Sequence, residues 1–325
     1  MPSGSLDRRA WLVLLGLPFL AYLPVLWGGF NFDDISTVLS NRSLRDWPAM
    51  LVRLGSPGSR GLFYLSLGLD HAIWGLRPAG YHLTNLLVHL LNVALLTTLI
   101  LKLGALRGDR EPPRMALAAG LLFGLHPLAS SAACYVAQRA TLLVATALLA
   151  VLHLLLRMTE APPSGRWKLG ALAGLASWLG LLAKPNGVVI PLCALGLLAL
   201  LPRGRREAPG RWLAAAVPLS IAVGIWSLSQ AMQTPYQRAT WDLYALTQLR
   251  VVWRYAGLCL LPLHQTLDPE VSASTGWLSP WTTLLGVLGL LALVAWALRP
   301  GRSPWTRAGL LMALLLGDTG ELDEE

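Results

Sequence analysis

Residues 81–101 read YHLTNLLVHLLNVALLTTLIL. The stretch carries no Asp, Glu, Lys or Arg, and its apolar residues run on without strict alternation. At 1.5 Å per residue a helix of this length crosses the roughly 30 Å hydrocarbon layer of a bilayer. Four polar residues interrupt it: His82, Asn85, His89 and Asn92, spaced 3, 4 and 3. That spacing makes one stripe on a helix. In lipid such a stripe must face other helices or a wet cavity, so the segment predicts a bundle rather than a lone anchor.

The rest of the chain agrees. Its 325 residues are 54% hydrophobic and 13% charged, with a mean hydropathy of +0.54. A soluble chain carries about 25% charged residues. The composition excludes a soluble domain, a disordered chain and a disulfide scaffold. The continuous Leu/Ala-rich runs argue against a β-barrel. Besides 81–101, spans are expected at 11–27, 115–133, 140–156, 168–183, 187–201, 212–231 and 280–298. The fold class is therefore all-α: a polytopic membrane helix bundle of about 8–10 transmembrane helices. One transmembrane domain is expected over 1–317, followed by an acidic polar tail at 318–325.

Charge fixes the expected topology. The chain has 26 basic and 17 acidic residues, a formal net charge of +9. Basic clusters at Arg8/Arg9, 102–114, 157–168 and 203–211 alternate with the spans, so all four are expected in the cytoplasm together with the N-terminus. Membrane lipids, not nucleic acid, are the expected partners of this charge. The first external loop then covers 28–80. Within it, 61–76 is apolar but broken by Asp70 and His71, which suits a helix lying flat at the interface. Residues 299–307 carry three Arg and should be cytoplasmic, which leaves one crossing at 280–298. Parity thus keeps 246–263 from crossing, as a re-entrant or interfacial helix with Arg250 and Arg254 on one face. Cys134, Cys193 and Cys259 are scattered, without zinc-ligand spacing. No metal and no cofactor is expected.

The chemistry-bearing residues collect at the external boundary. Asp33 and Asp34 sit just past the first span, at the depth where a lipid-linked phosphate is held, and a carboxylate there can take the proton of an attacking hydroxyl. Asp34 is slightly preferred as the base, being further from Phe30 and Phe32. An ordinary solvated turn is the plain alternative. His82 and Asn85 lie at the outer end of the polar stripe, where cavity lining competes with simple interhelical hydrogen bonding. His126, Tyr135, Gln138 and Arg139 gather near the turn between the third and fourth spans. Arg139, Lys184, Arg250 and Arg254 are external positive charges against the general trend, suited to a phosphate leaving group. His82, Asn85, His126, Gln138, Arg139, Lys184, Arg250 and Arg254 are thus the expected substrate-binding set. A transporter would need polar residues through the full bilayer depth, and these concentrate at one boundary.

Four stretches, FNFDDISTVLSNRSLRDW (30–47), LSLGLDHAIWGLRPAGYHLTNLLVHLLN (65–92), LFGLHPLASSAACYVAQRA (122–140) and AKPNGVVIPL (183–192), resemble the GT-C membrane glycosyltransferases. The likeness is to the transmembrane and TPR-containing O-mannosyltransferase group and its bacterial relatives. The resemblance implies a GT-C bundle, a polyprenyl-phosphate sugar donor, a protein or glycan acceptor, inversion at the sugar, and a base within the motif matching Asp33-Asp34. It also implies a site on the outer face of the cytoplasmic membrane, with mannose among the sugars. The chain departs from that pattern in three ways. Ser130-Ser131 and Thr141 stand where relatives carry acids, and the sequence ends at Glu325 without the later acidic-Arg-Tyr motif or a TPR array, as in a shortened copy. A non-catalytic relative that binds lipid-linked sugar or scaffolds a glycosylation complex is the alternative expectation.

Overall fold

The computed structural model describes residues 5–55, 59–231, 235–263, 274–276 and 279–299. Its regular elements are all helical, and the protein is an all-α membrane helix bundle. It divides into two compact units, Met1–Ile190 with Leu201–Ala214, and Pro191–Leu200 with Ala215–Glu325. The expected acidic tail at 318–325, the domain end at 317 and the basic stretch 300–307 lie outside the described residues.

The first unit begins with α1 (Arg8–Tyr22), whose N-terminus is capped by Asp7 accepting the Ala10 N–H at 2.8 Å. The first loop holds α2 (Trp47–Leu54), capped by Asp46, and α3 (Gly61–Trp74). Then follow α4 (Pro78–Arg107), α5 (Pro112–Leu125), α6 (Ala129–Cys134), α7 (Arg139–Met158) and α8 (Pro163–Ala183). In chain order come α9 (Ile190–Leu200), α10 (Glu207–Ala231), α11 (Pro235–Leu260) and α12 (Thr282–Leu298). The second unit pairs α11 with α12, where the Trp253 indole N–H donates to the Gly286 carbonyl at 2.9 Å.

Among the described residues, four helical stretches are long and apolar enough to cross a membrane: Arg8–Trp27, Pro78–Arg107, Val136–Met158 and Glu207–Trp226. Shorter apolar helices are Pro185–Leu200 and Thr282–Leu293. The expected span at 115–133 is instead α5 ending at Leu125, a break at His126-Pro127 and the six-residue α6. Pro127 has no N–H to continue the ladder, and the residue before a proline avoids the helical region. His126 accordingly has ψ near 129°. The apolar run expected as a re-entrant or interfacial helix at 246–263 is, up to Leu260, the second half of the longer α11, which starts at Pro235.

The stripe on α4 does what lipid demands. The Asn85 amide donates to Tyr135 O at 2.9 Å, His89 Nε2 lies 3.1 Å from Gly124 O, and Asn92 donates to Leu142 O at 3.0 Å while accepting from Thr146 at 2.7 Å. His82, Asn85, His89 and Asn92 are all buried. The same contacts set direction. Asn85 meets the start of α7, Asn92 its middle, and Thr98 reaches His153 near its end, so α4 and α7 run parallel. Gly120 and Gly124 of α5 let Thr97 and Val93 of α4, and Leu14 and Pro18 of α1, approach closely; a methyl there would collide with them. Exposed Leu12, Leu20, Leu87, Leu122 and Leu175 supply the outward surface of a lipid-facing bundle.

These directions put Arg8/Arg9, the 102–114 loop and the 157–168 loop at one end of the first unit. The first loop, the His126–Gln138 turn and Lys184 lie at the other. The first loop is packed down by an apolar cluster: Val38 and Leu44 of the loop, Phe63 and Leu67 of α3, Tyr81 of α4, and Val136 and Ala140 leading into α7. Each of the buried Val, Leu and Phe side chains among them contributes about 1.5–3 kcal/mol.

Candidate functional site

Asp33 and Asp34 enter the structure through a tight turn. Phe32 has φ +48°, the left-handed region that a β-carbon disfavours by roughly 1–2 kcal/mol. Phe30 packs edge-on against Tyr81, with ring centroids 5.3 Å apart. The Asp34 N–H donates to Asn31 O at 3.0 Å and closes the turn. A five-residue π-helical turn, Ile35–Leu39, follows, and Thr37 and Ser36 donate back to the Asp33 carbonyl.

The two carboxylates have different surroundings. Asp34 is 1% exposed. Its Oδ1 accepts the Ala137 N–H at 2.7 Å, and its Oδ2 the Asn31 N–H at a long 3.4 Å. Asp33 is only half-buried, and its backbone N–H donates to the Tyr135 hydroxyl at 2.8 Å. The segment 135–137 thus grips both aspartates, Asp33 through the Tyr135 hydroxyl that accepts its backbone N–H and Asp34 through the Ala137 N–H that donates to its carboxylate. Tyr135 was not in the expected site set, although it lies in the turn that the sequence singled out.

Burial pushes the Asp34 carboxyl up to about 6, against the opposing pull of N–H donors from Ala137, Asn31 and Val136. The folded state therefore holds this proton more tightly than the unfolded chain. That contribution to stability is full below about pH 4 and is lost as pH rises through about 6. Asp34→Asn is expected to flatten the thermal midpoint between these two pH values relative to the parent. An unchanged slope in the variant would mean another group sets it.

Arg139 is fully buried. Its Nε donates to Asn85 Oδ1 at 2.7 Å, Nη2 to Tyr81 O at 2.9 Å and Nη1 to Ser66 O at 3.2 Å. Nη2 also sits 2.6 Å from Asp70 Oδ2. That contact is one of charge, since its angle is not that of a directed hydrogen bond and Oδ2 has no other donor. Asp70 Oδ1 accepts from Thr84 at 2.8 Å. Arg139 thus ties α3, α4 and α7 together from inside and presents no surface to a ligand. Asn85 is equally committed, and His82 is buried with Nε2 3.4 Å from Gly29 O.

The other expected residues lie around this knot. His126 is half-buried, with Nδ1 accepting the Leu128 N–H at 3.2 Å. Gln138 is half-buried and accepts from Thr141 at 2.8 Å. Lys184 is buried where α8 ends, at the same end of the unit, and α8 packs on α3. Arg250 and Arg254 belong to α11 in the second unit and are half-buried; Arg250 Nη1 lies 3.4 Å from Ser274 Oγ. Among the described residues, no three His, Cys, Asp or Glu side chains group as a metal site.

The chain is similar, over somewhat more than half its length, to several proteins named protein O-mannosyl-transferase. It is 32% identical to TMTC2 of Mus musculus over 200 residues, covering 56% of this chain and 23% of that protein. It is 35% identical to Tmtc2 of Drosophila melanogaster over 207 residues, covering 57% and 21%. With TMTC3 of Homo sapiens it shares 28% over 204 residues, 58% and 22%. The chain spans less than a quarter of the length of these relatives. No family model and no solved structure matches it.

Proposed function

We propose that this multi-pass membrane protein, similar over half its length to protein O-mannosyl-transferases, is a glycosyltransferase. It moves a sugar, mannose by analogy with those names, from a polyprenyl phosphate to a hydroxyl on a protein or glycan. Its N-terminus is cytoplasmic and its site external, in keeping with the basic residues gathered at the opposite end of the first unit.

The observation that carries the reading is the pair of aspartates held by 135–137, one open and one buried. A general base must reach the proton that it removes. Burial moves the preference from Asp34 to Asp33. In this reading the acceptor oxygen attacks the anomeric carbon opposite the phosphate. Its proton passes to Asp33 as the new C–O bond forms. The bond from the anomeric carbon to the phosphate oxygen breaks, the electron pair leaves with polyprenyl phosphate, and the sugar inverts. Asp34 holds the turn that aims Asp33. Lys184, His126 and Gln138 are the candidates for binding the donor within the first unit, the unit that holds Asp33.

The test is transfer from a polyprenyl-phosphate mannose to an acceptor peptide in proteoliposomes, with the anomer read by NMR. An inverted product supports the reading, and a retained one sinks it. A second reading, binding of lipid-linked sugar without transfer, is favoured by Ser130-Ser131 and by the burial of Arg139. It predicts saturable donor binding and no product with any acceptor.

Tyr135→Phe removes the acceptor of the Asp33 N–H. Transfer is expected to fall about tenfold, near 1.4 kcal/mol, in kcat with little change in KM. A change in KM alone would make Tyr135 a substrate contact instead.

A further inference from the structure

The end of the first unit away from Asp33 holds a cavity of about 490 Å³, bounded by the end of α7 and the starts of α8 and α10. Such a volume falls within the range of small-ligand sites, about 300–1,000 Å³. Its lining includes Met158, Arg166, Trp167, Glu207, Arg211 and Trp212. Trp212 is fixed by its indole N–H donating to Gly170 O at 3.0 Å. Arg166 is steadied through Nε, which donates to Ala161 O at 3.0 Å. Arg211 pairs with Glu207 at 2.7 Å, but both side chains stand in solvent, where such a pair adds little.

Two features select the occupant. The flanking segments 157–168 and 203–211 hold seven basic and two acidic residues, so the site attracts an anion. From the cavity, α8 continues with Leu172 and Leu175, each about half exposed, which is surface for acyl chains and not for a free solute. Tryptophan beside arginine at the end of a spanning helix is the usual composition of the headgroup boundary.

We propose that this cavity binds the headgroup of an anionic glycerophospholipid from the leaflet facing the basic loops. Arg166 and Arg211 meet the phosphate, and Trp167 and Met158 lie against the glycerol and the first acyl carbons. The proposal does not depend on the transfer reaction.

The test is native mass spectrometry of the full chain titrated with phosphatidylglycerol, with phosphatidylcholine and with free glycerol phosphate. Phosphatidylglycerol is expected to be retained in preference to phosphatidylcholine, and free glycerol phosphate should not displace it. The double variant Arg166→Gln/Arg211→Gln is expected to weaken that retention about tenfold. The control Arg107→Gln/Arg110→Gln removes the same charge from the other basic loop and should change it less than about twofold. Equal weakening by both double variants would mean diffuse attraction and overturn the site. Equal retention of the two lipids would overturn it without any variant, and displacement by glycerol phosphate would reassign it to a soluble anion.

Discussion

Asp33→Asn is expected to lower sugar transfer by about 10²- to 10⁴-fold while donor binding persists. Asparagine keeps the shape of the side chain, and the backbone N–H that Tyr135 accepts is untouched. The substitution removes the charge and the capacity to take a proton, and with the charge its interaction with the Tyr135 hydroxyl. Asp34→Asn should cost less, because that side chain is buried and acts through the turn. Steady-state transfer in proteoliposomes, with donor binding measured separately, decides the matter. Full activity in both variants removes the aspartates from the reaction. A larger loss in Asp34→Asn than in Asp33→Asn exchanges their roles.

Arg139→Leu is expected to destabilise the protein by about 3–5 kcal/mol, because it strands the Asp70 carboxylate without its charge partner. It also strips Asn85 Oδ1 and the carbonyls of Tyr81 and Ser66 of a donor. The observable is the thermal midpoint in detergent, together with protease resistance of the first loop, since α3 is held by this contact. Asp70→Leu combined with Arg139→Leu should recover a large part of the loss, as the two effects are coupled. An unchanged midpoint in Arg139→Leu, with donor binding abolished, would restore the phosphate role that the sequence suggested for this arginine.

That suggestion shows where the sequence was legible and where it was not. Hydropathy located α4, α7, α10 and α12 closely, because a long apolar run in lipid has few alternatives to helix. The interrupted run 61–76 gave α3 within two residues. The stripe His82, Asn85, His89 and Asn92 pointed correctly inward, but whether it lined a cavity or joined helices was a question of partners, and partners are not periodic. The partners of Arg139 were out of reach for the same reason. An arginine at the head of an apolar span and a lone acid inside an apolar helix are each expensive alone. Their shared cost was the available sign that Asp70 and Arg139 meet, and sixty-nine positions of sequence separated them. The difference between Asp33 and Asp34 was beyond reach, since it depends on which carboxylate the Ala137 N–H finds.

The ladder between α4 and α7 also bears on how the chain is made. Asn85 and Asn92 find their acceptors at Tyr135 and Leu142, each 50 residues further along. At about 5–20 residues per second, translation leaves these amides waiting roughly 2.5–10 s for the helix that satisfies them. During that interval α4 carries Asn85 and Asn92 toward whatever surrounds it, at a cost that lipid alone would not relieve, whereas His82 and His89 find Gly29 and Gly124, which are made before α7. The order of synthesis therefore leaves α4 with two amides to satisfy after it is made, and its polar stripe is complete only once α7 has joined it.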